Sequence, residues 1–122
     1  MEVIKIDPRK RSIEVEKLPK SDKYDNEWKK LVGVDSDEDS DGYLTPEFDF
    51  RHKSKGYVLW MNSEARSNNE DKMNSFRNKL CPEVQFFGTC FISGWHFSTT
   101  NIYSSKDILN YVKENFYFDS QI

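Results

Sequence analysis

A single α+β domain over residues 1–122, with a mostly antiparallel sheet and about three helices, is predicted by three observations. The chain has 122 residues, enough for one hydrophobic core and too few for two domains. Short runs of alternating apolar and polar residues are joined by turn-forming residues, which favours antiparallel pairing. Between them lie three stretches with apolar residues at helical spacing. The element order reads β-β-α-β-β-α-β-α, with the helices on one sheet face and an edge left free, so the pattern allows a homodimer.

The first two strands are Val3-Ile4-Lys5-Ile6 and Ser12-Ile13-Glu14-Val15-Glu16, with Asp7-Pro8-Arg9-Lys10 as the turn. Pro19 ends the hairpin. Ser21-Asp22 supplies a helix cap, and Tyr24, Trp28, Leu31 and Val32 then fall on one face, with Gly33 as the stop. After Pro46, the stretch to Phe50 alternates as a strand, and Arg51–Gly56 is a basic turn. Tyr57-Val58-Leu59-Trp60-Met61 is apolar on both faces, the pattern of a central strand.

Ser67 and Glu70 have capping-box spacing, and Met73, Phe76 and Leu80 follow at helical intervals, so a second helix closed by Pro82 is expected. Val84 to Ile92 reads as one apolar strand with Gly88 as a bulge or close contact. Gly94-Trp95-His96-Phe97 continues as strand or turn. Ser105 caps a last helix carrying Ile108, Leu109, Val112 and Phe116 on one face. The aromatics Phe116-Tyr117-Phe118 stay exposed unless they dock, which hints at an interface.

Aromatic residues make up 15% of the chain, so large rings compensate for a low aliphatic content. The net charge of −3 does not favour nucleic acid as a partner. Bases cluster before residue 35 and acids follow at 35–41, a two-faced surface rather than a phosphate-binding one. Cys81 and Cys90 form no metal-binding spacing with His52 and His96, and both thiols read as reduced and partly buried. The chain shows no apolar leader or spanning run, so a soluble protein of the cytoplasm, without a membrane partner, is expected.

Four pieces recur in order: the hairpin Val3–Val15, Leu31-Val32-Gly33, Leu59-Trp60-Met61-Asn62-Ser63-Glu64, and Gly88-Thr89-Cys90-Phe91-Ile92-Ser93-Gly94. In this the chain resembles a family of short phage- and plasmid-encoded proteins of unknown function. Members have an N-terminal hairpin, a helix ending Leu-Val-Gly and a later Gly-flanked apolar strand. The resemblance covers residues 1–94 but not 35–56. It implies an α+β fold and an origin in a mobile element, with the host cell's cytoplasm as the location if the protein is phage-encoded. It implies no activity and no catalytic residues.

The acidic loop at 35–42 is the densest chemistry in the chain. Closely spaced carboxylates can imitate a nucleic-acid backbone and occupy a basic groove. The leading expectation is therefore a non-enzymatic protein that binds and occludes a host defence macromolecule. Asp35, Asp37, Glu38, Asp39 and Asp41 supply charge, and Tyr43 and Phe48 supply buried area. One alternative is a calcium module. Asp37, Asp39 and Asp41 followed by Gly42 form half of an EF-hand loop, with Glu47 one place early for the closing ligand. Calcium is the only cofactor suggested, and a solvated loop is the bland reading. The other alternative is a sponge for a small nucleotide signal, with Arg51 and Lys53 on phosphate and Trp60 and Trp95 stacking. Phe97 and Tyr103 extend that aromatic set; its bland reading is core filling. A Cys–His pair of Cys90 and His96 is the weakest candidate, since Cys90 sits in an apolar strand.

Overall fold

The computed structural model describes residues 1–19, 26–34, 44–67, 73–96, 98 and 102–119. Nine strands and two short α-helices are described: β1 (Glu2–Asp7), β2 (Ser12–Lys17), α1 (Asn26–Leu31), β3 (Leu44–His52), β4 (Lys55–Asn62), β5 (Ser75–Asn78), β6 (Cys81–Phe87), β7 (Cys90–Trp95), β8 (Ile102–Tyr103), α2 (Leu109–Asn115) and β9 (Phe116–Phe118). The larger sheet runs β2-β1-β7-β4-β3, with β8 also on β7. The smaller sheet runs β6-β5-β9. Every pairing is antiparallel. The α+β class and the antiparallel bias of the sequence are therefore present.

Period-two alternation sorts the core into two layers. From β4, Tyr57, Leu59 and Met61 point to one face, and Val58 and Trp60 to the other. The first set meets Ile4, Ile6, Cys90 and Ile92, with Phe76, Phe86, Val112 and Phe116 of the small sheet and α2 stacked upon them. The second meets Val3 and Phe91 under Trp28, Val32 and Val34 of the α1 segment. Both faces of the large sheet are thus covered, and helices pack on both. This corrects the expectation of helices on one face. It also explains why β4 is apolar all along: it lies between β7 and β3 with a layer on either side.

The first hairpin forms as expected, and its register sets Ile4 opposite Val15 and Ile6 opposite Ile13. The Asp7 carboxylate accepts the backbone N–H groups of Arg9 and Lys10 at 3.1 and 3.3 Å, which folds the turn. Helix α1 stops at Gly33, whose φ is 77°. The Gly33 N–H donates to the Lys30 carbonyl at 3.0 Å and the Val34 N–H to the Lys29 carbonyl at 2.9 Å, a Schellman motif that satisfies the last carbonyls. Trp28 reaches from α1 to Phe91, edge to face at 5.5 Å.

Three expectations are overturned. The helix predicted after Ser67 is absent from the described part of its range, where Ser75–Asn78 is strand β5 and Cys81–Phe87 is strand β6; Glu70 lies outside the described residues. Phe76 is fully buried, whereas Met73 and Leu80 are exposed, so the helical spacing of these three is coincidental. Pro82 lies within β6. That strand is at a sheet edge, where a missing N–H is tolerated. The single strand expected over Val84–Ile92 is two. Gly88, at φ 72°, lets the chain leave the small sheet after Phe87 and enter the large one at Cys90. The last helix begins with a 3-10 turn at Lys106–Ile108, and Ser105 makes no side-chain cap. Phe116 belongs to β9, not to the helix.

The Phe116-Tyr117-Phe118 cluster docks rather than protruding: β9 pairs with β5, Phe76 opposite Phe118. Just beyond β9, Asp119 ties the small sheet together. Its carboxylate accepts Ser75 Oγ at 2.7 Å, Arg77 Nε at 2.9 Å and Gln85 Nε2 at 3.3 Å. Burial alone would push the carboxyl up; the hydrogen bonds from Ser75, Arg77 and Gln85 and the Arg77 charge together outweigh it, leaving the value below the ordinary 3.8. A lowered folded-state value contributes stability at neutral pH that is lost as pH falls from the ordinary value through the lowered one. Asp119→Asn is therefore expected to melt below the parent at neutral pH, with the gap closing in acid. Equal gaps at both pH values would remove Asp119 as the cause.

Candidate anion-binding cleft

The β3–β4 turn is a two-residue loop: His52 pairs with Lys55, and Lys53 and Ser54 both have positive φ, 50° and 69°. Both central residues are left-handed, the geometry of a type I′ hairpin. The turn projects Arg51 and Lys55 toward the far end of β7. There, Gly94 pairs with Tyr103 and Trp95 with Ile102 of β8. Between these elements lies a cleft of about 240 Å³, lined by Arg51, Ser54, Lys55, Gly56, Trp95, His96, Ser98 and Tyr103.

Tyr103 is the fixed wall. Its ring lies flat over Gly94, in the space a Cβ there would occupy. Its hydroxyl donates to the Gly56 carbonyl. The ring also touches Tyr57 at 5.9 Å and His96 at 4.7 Å. Desolvation pushes the Tyr57 phenol up, with Tyr103 and Asp107 adding to it. The second wall is Trp95, half-buried and held edge-on by Trp60 at 5.7 Å.

Of the four residues expected to hold a nucleotide, Arg51 and Trp95 line the cleft. Lys53 stands at the tip of the turn, outside the lining, and Lys55 takes the place it was expected to fill. Trp60 is buried, and its indole N–H donates to Ser93 Oγ at 2.9 Å. It supports Trp95 from beneath and offers no stacking surface. His52 turns the other way, against Tyr111 at 4.1 Å. Phe97 lies outside the described residues. Ser54, Gly56 and Ser98 are lining residues the sequence did not single out, and His96 was singled out only as a partner for Cys90; the one signal was that Gly94 and Gly56 each precede an aromatic residue.

Of the acidic segment and its neighbour, Asp35, Asp37, Glu38, Asp39, Asp41 and Tyr43 lie outside the described residues. Phe48 is described, and its ring is committed inward, 5.6 Å from Phe86 and 5.8 Å from Phe50, so it is not a surface anchor. Glu47 sits where the β3–β4 register slips between Pro46 and Phe48. Its carboxylate accepts the Thr45 hydroxyl at 2.8 Å and pairs with Arg66 at 3.3 Å. A calcium ion would have to displace Arg66 to use it. Among the described residues, no group of three or more His, Cys, Asp or Glu gathers as a metal site. Also among them, no helix is long and apolar enough to cross a membrane.

The thiols are not poised for nucleophilic attack. Cys90 is fully buried at the start of β7, and His96 stands exposed beyond its other end, so the two do not pair. Cys81 donates to Glu83 Oε1 at 3.2 Å, and that hydrogen bond, with some desolvation and the Glu83 charge, holds the thiol above its ordinary value.

Comparison with protein-family models, curated proteins and solved structures gives no significant match. The resemblance to short phage and plasmid proteins therefore rests on the residues that carry it.

Proposed function

We propose that this is a non-catalytic binding protein whose cleft takes the phosphate end of a small nucleotide-like ligand. The gathering of Arg51, Lys55, His96, Trp95 and Tyr103 around one cleft at the end of the sheet carries this reading, with Tyr103 packed in the Tyr57 layer and Trp95 in the Trp60 layer. Arginine and lysine supply charge-assisted donors to phosphate oxygens, and an adjacent ring supplies a stacking face. The volume narrows the class. Pockets that engulf a drug-sized ligand run from roughly 300 to 1,000 Å³. A cleft of about 240 Å³ holds one phosphate and the edge of what it is attached to, leaving the remainder in solvent. The negative net charge argues against long polyanions and is no obstacle to a small one.

Sequestering a signalling nucleotide in this way would serve a mobile element against its host, which is where the family resemblance points. The occlusion of a host macromolecule through Asp35–Asp41 is a separate proposal with a separate signature, affinity that falls with salt and with Asp37, Asp39 and Asp41 changed to Ala together.

Calorimetric titration with adenosine monophosphate, cyclic AMP, ADP-ribose and plain adenosine tests the cleft. Saturable binding of a phosphate-bearing member is expected, with adenosine weaker. Arg51 and Lys55 are exposed, so the double change to Ala should leave the fold intact. Removing charge-assisted hydrogen bonds worth ~1.5–3 kcal/mol should weaken binding by roughly tenfold or more. Absence of binding by all three phosphate compounds, or equal binding by adenosine, would sink the proposal.

A further inference from the structure

A separate groove of about 590 Å³ opens between the start of β2 and the junction of α2 with β9. Its floor is apolar: Ile13, Phe116 and Phe118. Its cations are Arg11, at the end of the first hairpin turn, and Lys113, in the last turn of α2. Arg11 is held in the left-handed region at φ 52°. Its guanidinium lies 5.3 Å over the Phe118 ring and donates to the Asp119 carbonyl at 3.0 Å. A non-glycine residue in that conformation costs free energy, and here the packing on Phe118 and Asp119 holds it. At the same place Ser12 Oγ is buried with no hydrogen-bond partner among the described residues. Buried hydroxyls are nearly always paired, so this one calls for an explanation.

We propose that this groove binds an amphipathic carboxylate, its apolar body against Ile13, Phe116 and Phe118 and its anionic end toward Lys113 and Arg11. The volume falls inside the range of sites that take a whole small ligand, roughly 300–1,000 Å³. Apolar walls with a few convergent polar groups are what such sites share. Arg11 gives one N–H to Asp119, and among the described residues the rest of its planar fork has no acceptor, which suits an oxygen anion. Lys113 is exposed on the helix and adds a mobile second charge. The site is independent of the β3–β4 cleft, so either can fail alone.

The probe is phenylbutyrate, with phenylbutyramide as its uncharged twin, titrated while backbone amide chemical shifts are followed. Saturable shifts confined to Arg11–Ile13, Lys113 and Phe116–Phe118 are expected with the acid. The amide should bind more weakly, and Lys113→Glu should weaken the acid by about tenfold, the equivalent of ~1.4 kcal/mol. Lys113 is exposed, and the acid-against-amide comparison on the parent protein needs no variant. No saturation up to the solubility limit, equal binding of acid and amide, or shifts centred on the β3–β4 cleft would each overturn the proposal.

Discussion

Ser105→Ala is expected to lower the unfolding free energy by roughly 2–6 kcal/mol, the largest effect of any single hydroxyl among the described residues. Ser105 is fully buried. Strands β1 and β8 occupy the same side of β7 in succession, and Ser105 lies two residues beyond the end of β8. Its Oγ donates to the Ile92 carbonyl of β7 and accepts the Ile4 N–H of β1 at 3.1 Å. Its own N–H donates to the Glu2 carbonyl at 3.1 Å. The hydroxyl therefore completes the ladder where one strand hands over to the next. Alanine leaves a buried donor and a buried acceptor at once, each costing about 1–3 kcal/mol. For a chain of this size the melting temperature should drop on the order of ten degrees. Ser104→Ala is the control: Ser104 is exposed, so its bond to the Glu2 carbonyl is worth little. Urea unfolding of both variants measures the difference. A Ser105 variant within experimental error of the Ser104 one would mean that water or a shifted backbone satisfies Ile4 and Ile92.

Gly94→Ala should cost about 1–3 kcal/mol for overpacking, and it should also open the cleft. The added methyl would sit within the Tyr103 ring, including its Cγ, which is the near end of the side chain. That ring cannot swing aside cheaply, because its hydroxyl is held by the Gly56 carbonyl and its face by Tyr57 and His96. Covering a strand glycine with an aromatic ring is a known means of stabilising a sheet at such a position. A double-mutant cycle separates the cause from general damage. Once Tyr103→Ala has removed the ring, Gly94→Ala should cost little, so the two changes should be strongly non-additive. Additive losses would show that Gly94 matters for some reason other than Tyr103. Loss of nucleotide binding in Gly94→Ala, at a temperature where the variant stays folded, would tie the same contact to the cleft.

The proposed site was partly legible in the sequence. Arg51, Trp95 and Tyr103 were visible as a basic and aromatic set. Which of them share a surface was not. Trp60 and Trp95 look alike in the chain, yet β4 and β7 place one in the core and the other at the rim. Lys53 and Lys55 are two apart, so strand pairing and the type I′ turn decide between them. His96 meets Tyr103 only because β8 returns along β7.

What the sequence by itself determined is local. Alternation specified β1 and β2 and the double-sided burial of β4, and Gly33 specified the end of α1. Each is set within a few residues by side-chain period or backbone conformation. What only the tertiary structure decided is non-local. Met73, Phe76 and Leu80 fit a helix as well as a strand, and pairing of β5 with β6 and with β9, over 30 residues further along the chain, settled it. Gly88 could bulge a strand or pass it between sheets, and the two separate ladders chose the second. Ser105 reads as a helix cap by type and position; it serves β1 and β7 instead, because a buried ladder leaves unpaired backbone groups costlier than an uncapped exposed turn.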